Sequence, residues 1–161
     1  MRIALALLLL FGTGTLEAQQ ARDVQRQFTG NWRLVSFENF DEKGAARPSA
    51  FTGGRIMYDA AGQMAAQLTH SNRKPLTTPS SEAERAAAYS GYLSYFGRYS
   101  IDPSAQTVTH HVEGSTNPNW VSTATNLVRS YAFSADGNRL MLSVKNAAGR
   151  VTGTLTWERI R

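Results

Sequence analysis

The sequence predicts an all-β domain, an up-and-down antiparallel barrel of eight strands with one inserted helix at about residues 81–96. Short segments of alternating apolar and polar residues recur along the chain. Turn signals such as Asp136-Gly137-Asn138 separate them, and most connections are short. Closing such a sheet removes both edges and leaves an interior that holds one small ligand. A two-sheet sandwich is the alternative, but it needs longer connections.

The N-terminal residues 1–18 are expected to be a secretory signal peptide. Met1-Arg2 gives a positive start, Ile3–Phe11 is an unbroken apolar run, and small and polar residues lead to Ala18. The run is shorter than the roughly 20 residues that cross a bilayer, so no stable membrane span is expected after signal removal. An N-terminal core helix is the alternative.

Composition excludes several classes of function. The chain has no cysteine, so disulfides and a thiolate nucleophile are excluded. Its net charge is +5, and removing residues 1–18 leaves that value unchanged because one base and one acid are lost. The basic residues are scattered, so nucleic-acid binding is not expected. No phosphate-cradling loop, nucleophile elbow or metal-ligand spacing occurs, so we expect neither a cofactor nor a metal.

The predicted elements follow a short lead-in. Residues 19–28 are expected to be flexible or to form one turn of helix, and residues 29–161 to form the barrel domain. Residues 41–53 and 114–120 are expected to be loops. The eight predicted strands are Asn31–Phe40, Arg55–Asp59, Gln63–His70, Arg98–Asp102, Gln106–Glu113, Ala124–Ser134, Arg139–Lys145 and Val151–Ile160.

One segment has a helical pattern. Ser81 precedes Glu84 by three residues, which is the spacing of a capping box. Alanines follow, and four residues recur at helical spacing: Ala88, Tyr92, Tyr95 and Phe96. The pattern predicts a helix ending near Gly97. Its aromatic stripe, Tyr89, Tyr92, Tyr95 and Phe96, either packs in the core or covers the open end of the barrel as a lid.

Alternation separates the two adjacent histidines. His110 shares a face with Val108 and Val112, whereas His111 shares the other face with Glu113. His110 is therefore predicted to point inward. It is either a ligand contact or a core imidazole satisfied by a neighbouring hydroxyl.

Five further side chains are candidate ligand contacts. Tyr58 and Tyr99 share faces with apolar neighbours, Trp120 closes the loop after the histidine strand, and Tyr92 lies on the predicted helix. Arg129 alternates with large apolar residues. Inside a barrel it would need an anion as a partner, and an outward arginine is the alternative.

The residues at the two ends of the predicted sheet resemble those of a known family. Gly30-Asn31-Trp32 opens the first strand and Trp157-Glu158-Arg159 closes the last; lipocalins and their relatives pack such a Trp under such an Arg at one barrel end. With GRIMYDAAGQMAAQL, VTHHVEGSTNPNW and VRSYAFSADGNRLMLS between them, the chain resembles the lipocalin-like domain family from Thr29 to Arg161. The resemblance implies an eight-stranded barrel with a cavity, and a structural pair of Trp32 and Arg159.

Three functions are compatible with this pattern. The first is a secreted or periplasmic lipocalin-like protein that binds a small apolar or amphipathic ligand through Tyr58, Tyr92, Tyr99, His110, Trp120 and Arg129. The second, since some relatives steer cyclisation or isomerisation, is a cofactor-free isomerase or cyclase with His110 as general acid or base. The third is a purely structural barrel. Binding is favoured over catalysis, and the sequence does not indicate an oligomeric state.

Overall fold

The computed structural model describes residues 13–123 and 125–161, so most of the predicted signal peptide lies outside the described residues. Three helices are described: α1 Thr13–Phe28, α2 Glu82–Ser90 and α3 Pro118–Ser122. The strands are β1 Gly30–Phe40, β2 Ala46–Pro48, β3 Phe51–Tyr58, β4 Gln63–His70, β5 Tyr92–Asp102, β6 Thr107–Ser115, β7 Asn126–Phe133, β8 Arg139–Lys145 and β9 Val151–Arg159. None of the described helices is long and apolar enough to cross a bilayer.

Eight of these strands form a closed antiparallel barrel. The order is β1-β3-β4-β5-β6-β7-β8-β9, and β9 pairs back onto β1. The predicted all-β barrel with one inserted helix is therefore confirmed. The short strand β2 was not predicted; it lies in the expected loop 41–53 and pairs with the last three residues of β1, Glu38–Phe40.

The inserted helix is shorter than predicted. The capping box of Ser81 and Glu84 forms, but α2 ends at Ser90, where the Gly91 N–H closes the last turn on Ala87 and Tyr89. From Tyr92 onward the chain is strand β5. The prediction that these aromatic residues form a stripe on a helix was therefore wrong. A strand with aromatic rings on both of its faces also has large residues three and four positions apart, so the spacing alone does not distinguish the two structures.

The predicted lead-in is also more ordered than expected. Residues 19–28 belong to α1, and Phe28 at its end is completely buried. Its ring lies 5.1 Å from that of Tyr58, 5.1 Å from that of Tyr131 and 5.0 Å from that of Phe133, centroid to centroid. A flexible segment was predicted because residues 19–27 are mostly polar. The helix is held in place because Phe28 is buried in the core and Val24 packs against it.

The barrel has two unlike ends. The end at which β1 begins and β9 ends is closed by Phe28 and Trp32, and we call it the plugged end. The opposite end, where β5 begins and β6 ends, is flanked by α2 and α3, and we call it the mouth. Apolar side chains that face inward there keep partial exposure: Phe51, Leu93, Trp120 and Val144.

Candidate ligand-binding site

His110 lies inside the barrel with both neighbours on its strand face. Val108 is fully buried, His110 is 1% exposed and Val112 is 8% exposed. His111 faces outward and bonds to Ser100 and Asn126. The two imidazoles therefore lie on opposite faces of β6, as the alternation predicts.

Two tyrosines occupy both nitrogens of the His110 ring. The Tyr58 hydroxyl lies 2.8 Å from Nε2, and the Tyr95 hydroxyl lies 3.0 Å from Nδ1. Burial, with smaller contributions from Arg129 and His111, lowers the pKa of His110 to about 3. Burial also raises the pKa of Tyr95 to about 12 and that of Tyr58 well above its ordinary value. All three groups are therefore neutral near pH 7.

This neutral cluster has one more proton than it can pair internally. A neutral imidazole has one N–H donor and one acceptor nitrogen. One tyrosine therefore donates to His110, and the other accepts from it, which leaves the hydroxyl proton of the accepting tyrosine unused. Neither phenol has a second hydrogen-bond partner in the described part of the chain. One hydroxyl donor thus remains for another molecule.

Tyr95 is the site residue that the sequence reasoning missed. It is buried on β5, and its ring lies 5.5 Å from that of Trp120 near the mouth. Assigning residues 92–96 to a helix hid its orientation. The signal was present: Leu93, Tyr95, Gly97 and Tyr99 continue the period-two pattern of the strand back to Gly91.

Two predicted contacts lie elsewhere. Tyr99 faces inward, but its hydroxyl donates to the Asp59 carbonyl oxygen at 2.7 Å, toward the plugged end. Tyr92 is not on a helix. It neighbours the inward Leu93 on β5, and the Arg73 guanidinium stacks over its ring at 5.1 Å. Alternation places the Tyr92 ring on the outer face, so it does not line the interior.

Arg129 lies on the inner face of β7. It pairs with the buried Val108, and the preceding inward residue Leu127 is 9% exposed. Its positive charge acts on the buried Tyr58, Tyr95 and His110. The alternative of an outward arginine is therefore wrong.

The Arg129 guanidinium has few partners. Its Nη1 donates to the Val128 carbonyl oxygen at 3.0 Å. In residues 13–123 and 125–161, no carboxylate lies within ion-pair distance of it. A partly buried guanidinium without an anion retains unused hydrogen-bond donors.

A third unused donor lies on β9. The indole N–H of Trp157 is buried and has no acceptor within the described part of the molecule. Trp157 is 1% exposed and pairs with Leu34 and Leu140, which leaves it among apolar side chains. A buried N–H without a partner is uncommon in native structures.

At the plugged end, Arg159 lies over Trp32. Its guanidinium carbon is 4.1 Å from the indole centroid, a cation–π distance. The same guanidinium donates to the carbonyl oxygens of Gln27 and Thr29, at 2.5 and 2.9 Å, where α1 ends. Gly30 has φ +133°, and a Cβ there would lie 2.9 Å from Arg159 Nη1, which explains the glycine of Gly30-Asn31-Trp32.

The fold and site together define a class: a closed up-and-down barrel, plugged at one end, with a few polar groups in an apolar interior. The lipocalin-like domain model matches residues 29–160. The chain belongs to this lipocalin-like domain family.

Other comparisons give more distant likenesses. Among solved structures, a redesigned β-barrel is 11% identical with a TM-score of 0.43, and the match covers 85% of this chain and 95% of that one. Lobster apocrustacyanin A1 is 11% identical with a TM-score of 0.41, covering 94% and 70% respectively. A comparison with curated proteins finds no match.

Proposed function

We propose that this protein is a secreted or periplasmic lipocalin-like carrier that binds a small, largely apolar ligand in the mouth half of its barrel. The observation that carries the proposal is the partial exposure of inward apolar side chains near the mouth. Leu93, Trp120 and Val144 face the interior yet are not fully covered by protein. Apolar surface of this kind favours an apolar ligand.

Export is the part of the proposal that rests on the sequence. The charge and apolar pattern of residues 1–18 supports a signal peptide cleaved after Ala18. The intact mass of the exported protein tests this, since cleavage there leaves Gln19 as the first residue.

Binding is preferred to His110-dependent catalysis. Both ring nitrogens bond to tyrosines, and a pKa of about 3 makes the imidazole a weak base at neutral pH. These observations support a positioning role, in which His110 orients the hydroxyl of Tyr95.

The direct test is titration with a neutral apolar fluorophore, N-phenyl-1-naphthylamine. We expect the wild-type protein to bind it and Leu93→Trp to bind it at least about tenfold more weakly, because the larger ring fills the space near the mouth. Val128→Trp is the matched control, since Val128 lies on the outer face and is 52% exposed. No binding by the wild-type protein would contradict the proposal and favour a purely structural barrel.

A further inference from the structure

We infer that the ligand is an amphipathic anion, a carboxylate on an apolar chain, whose acid group accepts hydrogen bonds from Arg129 and from the free hydroxyl of Tyr95. This rests on the function proposed above and adds the chemical class of the ligand. The inference follows from the balance of donors and acceptors inside the barrel.

Two polar groups inside the barrel have hydrogen-bond donors that no acceptor in the described part of the protein satisfies. Arg129 has unused N–H groups, and the tyrosine cluster has one unpaired hydroxyl proton. No carboxylate of the described residues pairs with Arg129. Buried donors without acceptors are unfavourable, so a ligand that supplies acceptors is favoured.

Arg129 lies where the barrel wall becomes incomplete. The last pair between β7 and β8 joins Ser130 to Ser143. Residues 126–129, the half of β7 nearer the mouth, therefore pair only with β6. The Val128 carbonyl oxygen there accepts a hydrogen bond from the Arg129 side chain. The guanidinium is thus partly exposed at the border between the interior and solvent, which a charged headgroup requires because a fully buried ion is costly to desolvate.

Tyr95 is the tyrosine that presents the spare proton. It is 7% exposed against 3% for Tyr58, and its ring contacts Trp120, whereas Tyr58 packs on Phe28 at the plugged end. In the corresponding tautomer the Tyr58 hydroxyl donates to His110 Nε2, and His110 Nδ1–H donates to the Tyr95 oxygen. His110 is then a positioning residue for Tyr95.

The single positive charge of Arg129 favours a ligand with one negative charge. One guanidinium balances one negative charge, and its planar donors match the two oxygens of a carboxylate. The apolar side chains that continue toward the mouth suit the rest of such a molecule.

The experiment compares dodecanoate with 1-dodecanol, which share a chain and differ in charge, as displacers of N-phenyl-1-naphthylamine. At pH 7.5 we expect the wild-type protein to bind dodecanoate at least about tenfold more tightly than the alcohol. Arg129→Met is expected to abolish that preference by weakening dodecanoate binding at least about tenfold, whereas alcohol binding is retained with a much smaller change. Arg55→Met is the matched control, since Arg55 is exposed on the outer face of β3, and it should retain the preference.

The outcomes separate the two proposals. Equal affinity for acid and alcohol in the wild-type protein, or an undiminished preference in Arg129→Met, would overturn the anion inference while fluorophore binding still supports the carrier function. Absence of binding by the fluorophore and by both displacers would overturn the carrier function itself. Retained alcohol binding in Arg129→Met also shows that this variant is folded.

Discussion

His110 is the residue on which the polar interior of this barrel depends. It joins Tyr58 of β3 and Tyr95 of β5 through its two ring nitrogens, 2.8 and 3.0 Å from their hydroxyls. Histidine is a common general base in enzymes. Here the burial that surrounds the ring and the positive charge of Arg129 lower its pKa to about 3. Its contribution is therefore to fix the direction of two hydroxyl groups.

The depressed pKa of His110 makes the stability of the protein depend on pH. An unfolded histidine binds a proton below about pH 6.5, whereas the buried ring does so only near pH 3. Between these values the unfolded state binds more protons, so stability falls as the pH falls. From pH 6 to pH 5 we expect this residue to reduce the free energy of unfolding by about 1 kcal/mol, measured by urea denaturation.

A variant isolates the contribution of His110 to the pH dependence of stability. His110→Gln keeps a donor and an acceptor but does not titrate, so its decrease in stability from pH 6 to pH 5 should be smaller by about that amount. His111→Gln, on the outer face of the same strand, is the control and should retain the wild-type decrease. An identical pH dependence in wild type and His110→Gln would contradict the buried, neutral imidazole.

At the scale of elements, the pairing of β5 with β6 brings the cluster together. A bulge lies between Phe96 and Gly97, so that Gly97 pairs with Val112 whereas Tyr95 pairs with Ser115. At Gly97 the two backbones approach closely: a Cβ would lie 2.0 Å from the His111 carbonyl oxygen. Glycine at this position therefore permits the register that places Tyr95 near His110.

Gly97→Ala is expected to lower the free energy of unfolding by about 2–3 kcal/mol, because the new methyl group meets backbone that cannot move without breaking strand pairs. Gly53→Ala is the comparison. Its Cβ would meet the Thr69 Cγ2 methyl at 3.1 Å, and that side chain is able to rotate. Chemical denaturation of both variants measures the difference. A Gly97→Ala protein as stable as Gly53→Ala would contradict the close approach.

Period-two patterns made the barrel and several of its inward residues predictable. They gave β6, β7 and the hairpin of β3 and β4, and they placed His110 inside. The pattern failed between residues 88 and 97, where Ala88, Tyr92 and Tyr95 fit a helix while Leu93 and Tyr95 fit a strand. Tertiary pairing of Tyr92 with Thr69 decides for the strand, and no local signal contains that pairing.

The distances within the site were not predictable for a related reason. Whether Tyr95 or Tyr99 reaches His110 depends on the β5–β6 register and on the bulge at Phe96 and Gly97. Whether Arg129 has a partner depends on where β8 stops beside β7. Both are properties of several strands assembled together.

For the whole molecule, the two barrel ends have different roles. At the plugged end, Arg159 joins β9 to the end of α1 and stacks on Trp32, while Phe28 fills the space between the aromatic rings. Toward the mouth, the inward apolar residues are only partly buried, and the unused hydrogen-bond donors of Arg129 and Tyr95 lie beside them. This division supports a ligand held with its polar group near Arg129 and Tyr95 and its apolar part toward Leu93 and Trp120.

The location of a bound ligand tests this account most directly. Two-dimensional amide NMR spectra of the isotopically labelled protein, recorded during titration with dodecanoate, follow each strand separately. We expect the largest shift changes at residues 93–95, 110–112, 127–129 and 144, and small changes at residues 28–32 and 157–159 of the plugged end. Shift changes concentrated at the plugged end or on outer-face residues, or none at saturating dodecanoate, would contradict a ligand site in the mouth half of the barrel.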